Sequence, residues 1–151
     1  MHARTYEAAD LERLLPHRYP FLLVDRITVE VPGKRVRGTK RLTAGEWWSE
    51  LHPEQAVPFT LVLEALAQTG GALIPDLGLD SDPAVAAVAY FMGADRVRMR
   101  RPPRVGDHLE LTIDLLQWRR GICRTRGVAV VQSTGELVLS AELTTVIRRG
   151  A

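Results

Sequence analysis

Between Phe59 and Ile74 the chain reads F-T-L-V-L-E-A-L-A-Q-T-G-G-A-L-I, and only Glu64 in it is charged. A surface helix carries charge along one side, whereas a helix that is apolar almost all round is buried. The stretch therefore predicts a buried helix. It should start near Pro58, since proline suits a first turn that has no use for its missing N–H. Thr60, Glu64 and Gln68 stand at i, i+4 and i+8, in one narrow polar line along this rod. An isolated carboxylate among apolar side chains is costly, and pairing it or keeping it neutral is how proteins make a general acid. His52, twelve positions upstream of Glu64, is the residue type best suited to move a proton near neutrality. These two residues form the candidate site.

The remaining elements must wrap the rod. Ala8 to Leu15 is a short amphipathic helix ended by Pro16. Phe21–Val31 and Arg35–Thr43, rich in Val, Leu, Ile and Thr, flank Pro32-Gly33 and predict a hairpin. Val85–Met92 reads as a strand, Gly93-Ala94-Asp95 as a turn, and Arg96–Arg101 as an extension running to Pro102-Pro103. Leu109–Trp118 and Ile122–Gln132 are two long strands, and Ser133-Thr134-Gly135 turns into a last one from Glu136 to Ile147. About six strands joined by tight turns imply antiparallel pairing. The predicted architecture is α+β, a curved antiparallel sheet around one long helix.

A length of 151 residues suits one domain, residues 1–151, with a sizeable core. No apolar run reaches the length of a membrane span, and the first residues lack the apolar centre of a secretory signal. One cysteine, Cys123, makes neither an intrachain disulfide nor a cysteine-rich metal site. A cytoplasmic protein with no membrane association is expected. The net charge is only +2, yet Arg96, Arg98, Arg100, Arg101 and Arg104 crowd nine residues, and Arg119, Arg120, Arg124 and Arg126 crowd eight. Such clusters attract acidic partners or serve as solvated faces. With no zinc-finger spacing, aromatic RNA-binding motif or helix-turn-helix pattern, nucleic acid is not an expected partner.

Four segments carry a family resemblance: L-P-H-R-Y-P-F-L-L-V-D-R-I at 15–27, L-E-A-L-A-Q at 63–68, Y-F-M-G-A-D-R-V-R-M-R-R-P at 90–102 with V-G-D-H-L at 105–109, and R-R-G at 119–121 before the closing strands. In that order they resemble the (3R)-hydroxyacyl-ACP dehydratases of the FabZ type. The resemblance implies the hotdog fold and conversion of 3-hydroxyacyl-ACP to trans-2-enoyl-ACP in fatty-acid or polyketide-type synthesis, with no metal or organic cofactor. It implies His52 as the base that takes the α-proton and Glu64 as the acid that protonates the departing β-hydroxyl. The backbone N–H groups of Phe59 and Thr60 would polarise the thioester carbonyl, and Gln68 would support Glu64. Tyr90 and Phe91 would lie near the acyl tunnel, and Arg98, Arg100, Arg101 and Arg104 would guide the acidic acyl carrier protein. The resemblance further implies a homodimer that pairs His of one chain with Glu of the other, in places grouped as a trimer of dimers.

The loop before the helix departs from the family pattern. It is shorter between histidine and glutamate, and Leu51 and Phe59 stand where the family has glycine. An ungapped alignment puts His52 on the catalytic histidine; matching Trp47-Trp48 to the family's aromatic pair puts Leu51 there. Two alternatives follow: an acyl thioesterase with Glu64 as base or nucleophile, or a non-catalytic subunit that needs an active partner. His17 and Tyr19, set between Pro16 and Pro20, read as loop architecture, and Cys123 as an inert mid-strand residue.

Overall fold

Along the first half of β5 (His108–Arg119) and the whole of β6 (Ile122–Val131) buried positions recur at every second residue, the signature of a sheet with one face on the core and one in solvent. They are the middle of the architecture seen in a computed structural model, which describes residues 3–51, 56–78 and 87–149. Their neighbours are β1 (Arg4–Tyr6), β2 (Arg26–Val31), β3 (Arg35–Arg41), β4 (Ala87–Met99) and β7 (Leu137–Arg149). The seven strands follow the order β1-β2-β3-β5-β6-β7-β4, and every neighbouring pair is antiparallel. Helix α1 (Ala8–Leu14) lies beside β1 and β2, and α2 (Phe59–Gly70) crosses the inner face of β3, β5, β6 and β7.

The rod starts one residue after Pro58, as its sequence predicts, and runs on past Gly70 as a 3-10 turn over Gly71–Asp76. Val62, Ala65, Leu66 and Thr69 bury one face against the sheet. The approach is close enough to require a glycine opposite: a Cβ on Gly38 of β3 would lie 2.5 Å from Thr69 Oγ1. Thr69 cannot easily swing away, because its branched side chain has few helical rotamers and its Oγ1 donates to the Ala65 carbonyl at 2.8 Å.

Three expectations are corrected. Burial of α2 on most sides does not hold in the single chain, where Leu61, Leu63, Glu64 and Ala67 are only partly covered. The predicted turn at Gly93-Ala94-Asp95 is absent; β4 passes straight through, absorbing extra residues as irregularities between Phe91 and Gly93 and between Asp95 and Arg98. The Phe21–Val31 strand begins only at Arg26, since residues 16–25 form a loop, and β1 is an additional strand. Val85, the predicted start of a strand, lies outside the described residues. No described helix is long and apolar enough to cross a membrane.

Gly38→Ala is expected to lower the free energy of unfolding in urea by about 1–3 kcal/mol, the usual range for overpacking. Thr69→Ala in the same chain should recover part of that loss, and strictly additive effects of the two substitutions would contradict the contact.

Candidate active site

Gln68 has 2% of its surface exposed, so its amide needs partners inside the protein. Its Oε1 accepts the Leu23 N–H at 2.9 Å; its Nε2 donates to the Phe21 carbonyl at 2.7 Å and to Glu64 Oε1 at 2.9 Å. Because a backbone N–H only donates and a carbonyl only accepts, residues 21 and 23 decide which end of the amide faces Glu64. The two main-chain bonds fasten the 16–25 loop to α2.

That loop is stiffened from its own side. Arg18 Nη1 donates to the Leu15 and His17 carbonyls at 2.9 and 2.8 Å, and the Trp47 indole N–H donates to the Pro20 carbonyl at 2.9 Å. The fastening brings His17 to the acid, with Nε2 3.4 Å from Glu64 Oε1 and the two side chains 31% and 29% exposed. Its Nδ1 is buried with no hydrogen-bond partner among the described residues. From the sequence alone, His17 reads as loop architecture. Its flanking prolines signalled a rigid loop, but no spacing rule links it to Glu64, because the link runs through Gln68.

Phe59 and Thr60 open α2, both exposed, after an N-cap, Pro58, that offers no side-chain bond. Among the described residues neither N–H has a main-chain acceptor outside the helix, so the positive end of the helix dipole is open there. Thr60 lies one turn before Glu64 on the same line, so this open end and the carboxyl share a side of the helix.

His52 lies outside the described residues. On one side of it the chain is held by the 3-10 turn Ser49–Leu51, where Ser49 Oγ donates to the Ala44 and Glu46 carbonyls at 2.6 and 2.8 Å. On the other, Ala56 bridges to Arg104, and the Val57 N–H donates to the Pro103 carbonyl at 3.0 Å. Trp48 is fully buried in the core, whereas Trp47 is half-exposed beside Pro20.

Tyr90 and Phe91 sit on β4, an edge strand, 52% and 51% exposed in the single chain. Arg98, Arg100 and Arg104 are exposed and make no ion pair among the described residues. Arg101 differs. It grips Asp107 through both terminal nitrogens at 2.9 and 3.0 Å and reaches Glu136 at 2.9 Å. Burial pushes the Asp107 carboxyl up, but hydrogen bonds from Arg101 and the Arg104 N–H, with their charges, outweigh it and hold the group below the usual carboxylate range. Cys123 lies in a small cleft beside Gly70, Ile74 and Ile147, where burial pushes its thiol up to about 11, far from the thiolate a nucleophile needs. Among the described residues no three His, Cys, Asp or Glu side chains gather as a metal site requires.

Comparison with known proteins adds to this geometry. Residues 15–142 match the family described as FabA-like domain. The chain is 45% identical over 141 residues to the 3-hydroxyacyl-[acyl-carrier-protein] dehydratase FabZ of Syntrophotalea carbinolica, covering 92% of each chain. It is 40% identical to the protein of the same name from Albidiferax ferrireducens, over 99% of each. Among solved structures, the dehydratase heterocomplex ApeI:P of Xenorhabdus doucetiae superposes with a TM-score of 0.72 at 19% identity, over 91% of this chain and 90% of that one. A hypothetical thioesterase with coenzyme A from Streptococcus pneumoniae gives 0.62 at 16% identity, over 80% and 83%. Identities this low speak for the fold alone, which is the hotdog fold.

Proposed function

Since the chain belongs to the FabA-like family and, within it, to the FabZ-type 3-hydroxyacyl-[acyl-carrier-protein] dehydratases, we propose that it dehydrates 3-hydroxyacyl thioesters carried by acyl carrier protein, in fatty-acid or polyketide-type synthesis. The observation that carries this reading is the end-to-end similarity to dehydratases so named. An imidazole, that of His52, removes the α-proton, and Glu64 delivers a proton to the β-hydroxyl. The C–O bond breaks, water leaves, and the double bond forms between the α and β carbons. Negative charge grows on the thioester oxygen along the way, and the open N–H groups of Phe59 and Thr60 suit it; removing one such donor typically costs about 3 kcal/mol. Acyl-thioester hydrolysis, the rival reading, has only fold-level likeness behind it.

The active unit is a homodimer, with His52 of one chain serving Glu64 of the other. β4 suits the joint. It is an edge strand bonded to β7 alone among the described strands, and it exposes Val88, Tyr90, Phe91, Met92, Val97 and Met99. A long apolar edge invites pairing with a second chain. Docking of the acidic carrier falls to Arg98, Arg100 and Arg104, which make no ion pair among the described residues, while Arg101 serves the fold.

With a 3-hydroxyacyl-ACP substrate, purified protein should form enoyl-ACP without releasing free thiol, and Glu64→Gln should lower kcat by roughly 100-fold or more. Free thiol without enoyl product would favour hydrolysis. Light scattering should give a mass of at least two 16.8 kDa chains, three such pairs if the dimers group further, and Tyr90→Lys with Met92→Lys should yield monomer. Arg98→Ala with Arg100→Ala should raise KM for the carrier-bound substrate, most at low salt, at unchanged stability. Arg101→Ala should instead lower stability, most of all above the acid range in which Asp107 becomes protonated, because a carboxyl held below its ordinary value contributes only while ionised.

A further inference from the structure

Glu64 uses its two oxygens unequally. Oε1 receives the Gln68 Nε2–H at 2.9 Å and lies 3.4 Å from His17 Nε2, whereas Oε2 has no partner among the described residues. The His17 ring is itself held in place: the loop on both sides of it is tied down by Arg18 and by the Gln68 amide. Its Nδ1 is buried with no partner among the described residues, where a hydrogen on that nitrogen would be a buried, unpaired donor. The tautomer that fits carries its proton on Nε2, the ring nitrogen that lies 3.4 Å from Glu64 Oε1.

We propose that His17 is a positioning residue for the acid: with Gln68 it holds Glu64 Oε1 as an acceptor, so that the proton given to substrate sits on Oε2. This rests on the dehydratase reading above. When Oε2–H transfers its proton to the β-hydroxyl, the O–H bond to Glu64 breaks, water departs, and the charge left on the carboxylate is met at Oε1 by two N–H donors. A contact of 3.4 Å is long for a hydrogen bond, but catalytic hydrogen bonds that are long in the free enzyme shorten as the reacting complex forms. The interaction therefore strengthens where charge develops and does little for ground-state binding, so it acts on kcat and not on KM. His17 moves no proton.

Substitution separates these roles. His17→Leu should lower kcat roughly 10- to 100-fold with KM little changed, the range for losing a hydrogen bond to a charged group. His17→Gln, whose amide nitrogen reaches about as far as Nε2, should restore most of the rate, and the shorter His17→Asn should not. If His17→Leu does not fold, the Gln and Asn pair makes the same comparison. A His17→Leu enzyme with wild-type kcat overturns the proposal, and so does a folded His17→Gln enzyme as slow as the Leu variant, which would make His17 a proton carrier. The imidazole ¹⁵N spectrum of the native chain supplies a readout independent of turnover. His17 should appear protonated on Nε2, with a signal that moves in Glu64→Gln. Wild-type protein that forms no enoyl product would defeat the dehydratase reading alone; a His17 signal indifferent to Glu64→Gln would defeat this inference alone.

Discussion

One side-chain amide, that of Gln68, sets the relation between the central helix and the loop that crosses it. Its three bonds are made at a buried position, where each lost partner would leave a backbone or side-chain group unsatisfied at a cost of about 1–3 kcal/mol. Two of the three bonds go to main chain, whose polarity cannot change, so the amide is read in one orientation only. The third then delivers an N–H to Glu64. The Glu64 carboxyl is thus aimed, through a single intermediate, by main chain that lies 45 residues before Gln68.

The fastening works only because the helix is already seated. Gly38 lets Thr69 meet the sheet at a distance no other side chain would allow, which fixes the depth of α2 and the rotation that turns Gln68 towards residues 21 and 23. On the face opposite Thr69, Leu63, Glu64 and Ala67 stay partly open among the described residues of the single chain. That incompleteness goes with the bare apolar edge of β4. Among the described residues a partly open helix flank and an apolar edge strand thus lie in one chain, the two surfaces the proposed homodimer would cover.

The helix was legible because one charge among sixteen residues is a strong departure from surface composition, and Pro58 marked its start. Strands β5, β6 and β7 were legible from alternation and from the turns between them. β4 was misread at Gly93-Ala94-Asp95, because glycine beside aspartate signals a turn and a bulge equally well; Arg96, at φ 50°, takes the strained conformation there instead. β1, three residues long, is too short for any period to register. Glu64 and Gln68 shared a helix face that the sequence displays directly. His17 did not, since its place beside Glu64 follows from a tertiary fastening and from no repeat along the chain.

The polar line of α2 also explains why acid and anchor can share one helix. Gln68 is sealed, Glu64 is partly open, and Thr60 is exposed. Where water is absent a hydrogen bond holds a group firmly, because any rearrangement leaves bare dipoles. Where water and substrate can enter, a carboxyl can exchange its proton. Spacing the three residues one turn apart places the rigid fastening a single turn behind the carboxyl proposed as the acid, and that carboxyl one turn behind the N–H groups that open the helix. Had the line run the other way, the carboxyl would be sealed from solvent, and its anchor would compete with water for every bond it makes.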